Sequence, residues 1–251
     1  MINTILSDLI TELDTKDDII VAKNSIQNIG INVVDNVYLL CYALEATRNL
    51  QGIYLECGVN KGSTLLTAHE YCKIRNIQKK FIGIDSFNGF PDNKTSNIND
   101  KPEMFDKLLS CEKITSHHHS LAKKRLYNHK NNYHLTKEYF RDPGKIIFEE
   151  SKKRNIDLIH GTFADSLQKL DIPISVFHID CDLYESYLEC LNFQFKNVVN
   201  GGIIVLDEYY SLKYPGPRIA VDEFIKKLNI NSYSLKMFKT KDFERWCIIK
   251  I

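Results

Sequence analysis

The chain has 251 residues, with 33 Lys and Arg against 32 Asp and Glu, a formal net charge of +1. That length buries a large core without disulfides or metal staples, and 43% hydrophobic with 26% charged residues excludes a disordered chain. Near-neutrality supplies no general phosphate attraction, so no nucleic-acid partner is expected. No apolar run approaches the ~18 residues of a membrane span, so no membrane is expected either.

The opening stretch MINTILSDLITELDTKDD lacks a basic head and a small-residue cleavage site, so it does not read as a secretory signal. The seven cysteines are odd in number and include no CxxC pair, which fits reduced thiols in a cytoplasm rather than disulfides or a zinc ribbon. Heavy use of Asn, Lys and Ile suggests an AT-rich genome.

In chain order, residues 1–50 read as helices. Ile2, Ile5, Leu6, Leu9, Ile10 and Leu13 recur at three and four, as do Val33, Val34, Val37, Leu40, Cys41 and Leu44. Short apolar runs then predict strands at 53–58, 81–85, 156–160, 174–180 and 202–207. Helices are predicted at 63–75, 145–154, 164–170, 184–199 and 218–228. Residues 232–238 and 243–249 are strand-like with a connection too short for a parallel crossover, so they should pair antiparallel. The expected fold is α/β: a mostly parallel, doubly wound seven-stranded sheet with an antiparallel end, forming one domain over 1–251. A helical extension (1–50) precedes it.

The span 93–145, after the second strand, breaks the alternation. It is punctuated by Pro102 and Pro143 and holds His117, His118, His119, His129 and His134. From Lys113 to Lys137 there is no carboxylate, while Lys123, Lys124, Arg125 and Lys130 lie inside. Such an insertion suggests a substrate arm, a lid or a loose loop. Its bases would suit a diphosphate, and the triple histidine reads as a solvated tract.

Three constellations carry chemistry. Glu56-Cys57-Gly58-Val59-Asn60-Lys61-Gly62-Ser63 joins a strand to a helix. Its glycines permit a tight turn and its helix amides attract an anion, while the acid suits a ligand with an ammonium group. Asp85, ending the next strand, can hold ribose hydroxyls or cap its own turn. Asp180 and Asp182 follow the fourth strand, and Asp207 and Glu208 follow the fifth. Adjacent strands bring Asp180 and Asp207 about 5 Å apart. Crowded carboxylates call for a cation or protons, and the all-oxygen set Asp180, Asp207 and Glu208 suits Mg²⁺, Mn²⁺ or Ca²⁺. Asp180 or Asp182 could take a proton from a substrate hydroxyl. His178 is set aside, because alternation along the strand is expected to turn it to another face than Asp180.

The stretches YLECGVNKGS, IDSFNGFP, GTFADSL, FHIDCDLYESYLECL and GGIIVLDEYYSLKYPGPRIAVDEFI resemble the macrocin O-methyltransferase (TylF/MycF-like) family over about 35–92 and 155–250. The resemblance implies a class I S-adenosylmethionine-dependent methyltransferase that methylates a sugar hydroxyl with help from a divalent metal. It implies Glu56, Gly58, Gly62 and Ser63 around the methionine part of the cofactor, with Asp180 beside it. Asp85 and Ser86 would hold the ribose, Thr162 and Phe163 would lie near the adenine, and Asp180, Asp207 and Glu208 would hold the metal. A homodimer is expected on the same ground. Asn88 replaces the usual Glu of a DSFEG motif, and Pro217 follows Gly216 where Ala is commoner, so the loops differ in shape.

The expected acceptor is a sugar for a surface polysaccharide such as capsule or lipopolysaccharide, presented as a nucleotide diphosphate sugar. A catechol-like diol or a macrolide-linked sugar would use the same acids. A nicotinamide-dependent sugar oxidoreductase shares the glycine turn but predicts a Tyr-x-x-x-Lys pair and no clustered acids. A non-catalytic nucleotide-sugar binding protein would leave the acids idle.

Overall fold

A computed structural model describes residues 15–33, 36–91, 97–128, 144–240 and 243–251. Seven strands form one sheet: β1 (Ile53–Cys57), β2 (Phe81–Asp85), β3 (Asp157–His160), β4 (Ile174–Ile179), β5 (Val198–Leu206), β6 (Tyr233–Thr240) and β7 (Phe243–Lys250). Their spatial order is β3-β2-β1-β4-β5-β7-β6. Strands β1 to β5 are parallel, and β7 runs antiparallel to both of its neighbours, as the short connection before it requires. The order reverses between β1 and β4, which opens a crevice at their carboxyl ends.

Nine α-helices lie among the described residues: α1 (Thr15–Asn28), α2 (Val37–Ala46), α3 (Ser63–Ile74), α4 (Met104–Ser110), α5 (Ser116–Asn128), α6 (Lys145–Lys153), α7 (Phe163–Leu167), α8 (Tyr184–Gln194) and α9 (Gly216–Ile225). Both sheet faces are covered, which is why β1 and β4 are apolar at successive positions. Tyr54 and Val176 pack with Ile19 and Ile26 of α1, Leu40 and Leu44 of α2, and Leu65 of α3. Leu55 and Phe177 face the opposite layer, with Leu191 of α8 and Val221 of α9. Truncating one such buried Leu to Ala costs roughly 2–5 kcal/mol, so the strand ends are held in a rigid frame.

The fifth strand starts at Val198, earlier than expected, and α8 stops at Gln194. The β-branched pair Val198-Val199 begins the strand before Gly201 and Gly202. The predicted helix over residues 1–14 lies outside the described residues, as do His129, Lys130, His134 and Pro143.

The span after β2 carries α4 and α5, which apolar periodicity did not reveal. Phe105, Leu108, Ile114 and Ala122 form a small cluster against Leu212 and Ile219, so the span docks through few contacts. His118 corrects the reading of a solvated tract. It is 2% exposed, its ring stacks on Tyr210 with centroids 3.9 Å apart, and its Nε2 lies 2.7 Å from the Ser211 carbonyl. Burial pushes its pKa down, so the ring stays neutral. His119 and Lys123 engage Asp106 at 2.7 and 2.8 Å. Asp100 reaches the start of α8, where its carboxylate accepts the Tyr184 amide at 3.0 Å. Through Asp100 and His118, the described residues 97–128 are therefore tied to the elements that follow β4 and β5.

Candidate active site

A cleft of about 760 Å³ lies over the carboxyl ends of the parallel strands. Its lining includes Gly58, Asn60, Ser63, Asp85, Ser86, Thr162, Phe163, Asp180, Asp182, Asp207 and Glu208. Ten of these, all but Asn60, are residues singled out in sequence, and they share one space although their segments span 150 positions of chain. Glu56 and Gly62 are not among the lining residues.

Gly58 shows why the turn needs glycine. Its φ is +94°, and a Cβ there would overlap the Asp180 carbonyl. The strands are knitted at this point, since the Asp180 amide donates to Cys57 O at 2.9 Å and the Gly58 amide to Ile84 O at 3.0 Å. Backbone can therefore approach a ligand as closely as it approaches Asp180. Nearby, Asn36 Oδ1, Asn60 Oδ1 and Ser63 Oγ are buried with no protein partner. Buried polar atoms without partners are costly, so these three fit a polar ligand in the cleft.

Asp85 caps its own turn and bridges two loops. Its Oδ1 accepts the Phe87 amide at 2.7 Å, capping its own turn, and its Oδ2 accepts the Asn60 amide at 2.8 Å, joining the loops after β1 and β2. Each oxygen keeps a lone pair for a hydroxyl. Ser86 donates to Gly89 O at 2.8 Å. Thr162 caps α7 by accepting the Asp165 amide at 3.2 Å and leads into Phe163.

The carboxylates gather where β4 and β5 end. Burial and the neighbouring Asp207 raise Asp180 to about 8, against a weaker opposing pull from His178. Burial and the nearby acids raise Asp182 to about 6, although Lys213 opposes this. Glu208 is also pushed up, by burial and by Asp180, Asp207 and Asp182. Its Oε2 lies 2.8 Å from the Tyr187 hydroxyl. Burial alone would raise Asp207 too, but His178, Arg245 and the Asn36 amide hold it well below the usual range. Asn36 Nδ2 donates to it at 3.0 Å. Asp180, Asp182 and Glu208 are raised first by burial and then by repulsion from neighbouring acids, and that repulsion is the part a cation would relieve. Asp182 has φ +60°, a left-handed backbone at a non-glycine residue beside the crevice.

His178 overturns an expectation. Its Nε2 lies 3.9 Å from Asp207 Oδ1, and it offers a ligand atom in one group with Asp180 and Asp207, all within 4.8 Å. Residues two apart on a strand share a face, so alternation places His178 with Asp180. Its Nδ1 is 3.0 Å from Glu56 Oε2. Glu56 is fully buried and also accepts from Tyr54 OH at 2.5 Å and Thr64 Oγ1 at 2.8 Å. The acid of the glycine turn thus lies below the cleft floor. Burial disfavours the charged ring, but Asp207 and Glu56 outweigh it and raise His178 to about 10.

The lining also holds Asn36, Lys61 and Lys213, which the sequence reading passed over. Asn36 stands just before α2 with no motif to mark it. Among the described residues Lys123, Lys124 and Arg125 do not line the cleft; Lys61 and Lys213 are the cations that do. Tyr209 and Lys213 have the spacing of a Tyr-x-x-x-Lys pair, a signal available in the sequence. Tyr209, however, gives its hydroxyl to Asp222 at 2.7 Å and is 2% exposed, away from the cleft.

Strand order, the glycine turn at the reversal point and the acids at the strand ends define a class I S-adenosylmethionine-dependent methyltransferase. The model of the macrocin-O-methyltransferase (TylF) family matches residues 25–240, and the chain belongs to that family; it is an S-adenosylmethionine-dependent O-methyltransferase. It is similar to demethyldecarbamoylnovobiocin O-methyltransferase of Streptomyces niveus, 24% identical over 204 residues that cover 80% of this chain and 68% of that protein. Among solved structures it resembles the O-methyltransferase NovP, with a TM-score of 0.59, 19% identity, and coverage of 86% of this chain and 79% of that one. The calicheamicin methyltransferase CalS11 matches with a TM-score of 0.58 and 15% identity over 96% of this chain and 88% of that one. At these identities the structural likenesses concern the fold.

Proposed function

We propose that this enzyme methylates a hydroxyl of a sugar carried on a nucleotide diphosphate, with a divalent cation such as Mg²⁺, Mn²⁺ or Ca²⁺ held at Asp180, Asp207 and Glu208. The observation that carries the reading is the gathering of Asp180, Asp207 and Glu208 in one cleft beside the glycine turn. CalS11 is described as a TDP-rhamnose 3'-O-methyltransferase, which favours an activated sugar here too.

S-Adenosylmethionine supplies an electrophilic methyl on a sulfonium, and a cation at the acids would supply Lewis acidity toward an acceptor hydroxyl. The chain's own residues do the rest. The Gly58 turn and Ser63 at the start of α3 receive the methionine part, Asp85 and Ser86 the ribose, and Thr162 and Phe163 the adenine. The fixed strand ends set the line along which the oxygen–carbon bond forms as the carbon–sulfur bond breaks. Asp182, which lines the cleft beside the other acids, takes the hydroxyl proton. Lys61 and Lys213 meet the diphosphate, and the docked helices α4 and α5 form a substrate arm beside the acids. Glu56 acts from beneath, through His178.

We take the setting to be a cytoplasmic homodimer, folded as one domain, that decorates a sugar destined for a surface polysaccharide. Methyl transfer assayed with EDTA, with added Mg²⁺, and in Asp207→Ala tests the cation. The reading predicts loss of activity with chelator, recovery with Mg²⁺, and no recovery in the variant. Full activity of Asp207→Ala in chelator would refute it.

A further inference from the structure

Building on the proposed cation, we infer that His178 supplies a nitrogen ligand to it, beside the carboxylates of Asp180 and Asp207. Three observations converge. First, His178 Nε2 is buried with no hydrogen-bond partner in a fully enclosed residue. Second, it lies 3.9 Å from Asp207 Oδ1, and ligand atoms of His178, Asp180 and Asp207 all fall within 4.8 Å. A hydrogen bond would close that gap to about 2.8 Å. Two donors bound to one ion at about 2.1 Å each instead sit roughly 3–4 Å apart.

Third, the opposite ring nitrogen is anchored. Nδ1 lies 3.0 Å from Glu56 Oε2, and Glu56 is itself fixed by the hydroxyls of Tyr54 and Thr64. A carboxylate that accepts from one imidazole nitrogen fixes the ring and directs the other lone pair outward, the arrangement that supports metal-bound histidines. Without an ion the ring is an imidazolium held between Glu56 and Asp207; an ion bound at Nε2 takes the place of that nitrogen's proton, whereas an imidazolium that stays locked leaves no lone pair for it.

A nitrogen donor changes which ion the site prefers. Oxygen-only sites suit Mg²⁺ and Ca²⁺, whereas imidazole strengthens binding of later first-row ions such as Co²⁺ and Ni²⁺. His178 thus gives this chain a mixed nitrogen–oxygen site.

Pulsed EPR of the full chain loaded with Mn²⁺ tests this without altering His178. The expected result is a ¹⁴N coupling that changes to a ¹⁵N pattern when histidine is ¹⁵N-labelled, and that persists in His117→Ala/His119→Ala. Bound Mn²⁺ without nitrogen coupling, or coupling lost in the His117/His119 variant, overturns the histidine ligand and leaves the carboxylate site standing. Failure of Mn²⁺ to bind overturns both. His178→Gln, checked for folding by circular dichroism, should lose at least about tenfold in Co²⁺ affinity and much less for Mg²⁺. Equal losses for the two ions would also count against the nitrogen ligand.

Discussion

Gly58 and Asp180 meet backbone to backbone: the turn after β1 passes so close to the end of β4 that a side chain on Gly58 would overlap the Asp180 carbonyl. This contact joins the cofactor side of the cleft to the acid side, and it sits where the strand order reverses. Gly58→Ala combines that overlap with a φ of +94°. The expected cost is on the order of 3 kcal/mol or more of stability, with loss of S-adenosylmethionine binding. Thermal unfolding and calorimetric titration with S-adenosylmethionine check both, and an unchanged affinity would mean the loop is not the cofactor's seat.

Glu56 separates two roles. An acid that held the cofactor's ammonium would, as Glu56→Gln, weaken S-adenosylmethionine. With its carboxylate turned to Tyr54, Thr64 and His178, the variant should instead leave cofactor affinity within about twofold and lower cation affinity about 10–100-fold. Titration of each ligand separately distinguishes the two.

His118 couples the docking of α5 to pH. Its folded-state pKa lies below the ordinary value of 6.5, because burial penalises the charged ring and nearby Arg218 and His117 oppose it, while the Ser211 carbonyl and Glu244 act the other way. A depressed histidine contributes stability that is present above pH 6.5 and is lost as pH falls through the folded value, since the unfolded chain then binds the extra proton. Protection factors in 116–126, with the intrinsic pH dependence of exchange divided out, should therefore fall below pH 6.5. His118→Phe, which keeps the stack on Tyr210, should flatten that dependence.

Lys213 tests how the acceptor is carried. Lys213→Gln should raise the KM for a nucleotide sugar about tenfold, leave S-adenosylmethionine affinity unchanged, and have little effect on a free sugar. Steady-state kinetics with the paired acceptors reads this directly. An equal effect on both acceptors would remove the phosphate role.

The sheet was legible because its signal is local. IYLEC, ISVFHI and GGIIVL are apolar on both faces, and an acid follows the fourth and fifth strands immediately. Helices α4 and α5 were hidden because few apolar positions bury and a histidine does part of the packing. His118 reads as polar until Tyr210 and Ser211, some 90 residues on, cover it. The surroundings of Glu56 were hidden for a similar reason. Its direction depends on His178, 122 residues away, and a motif records only that an acid is present. The position of His178 needed nothing beyond the two-residue period of a strand.

The central claim is methyl transfer to a sugar hydroxyl at this cleft. The most direct measurement incubates the full chain with methyl-labelled S-adenosylmethionine and a panel of nucleotide sugars, free sugars and catechols, with Mg²⁺. The account predicts label in an O-methyl ether of one or a few nucleotide sugars, abolished in Asp207→Ala. Label confined to catechols, or label on sugars undiminished in Asp207→Ala, would contradict it.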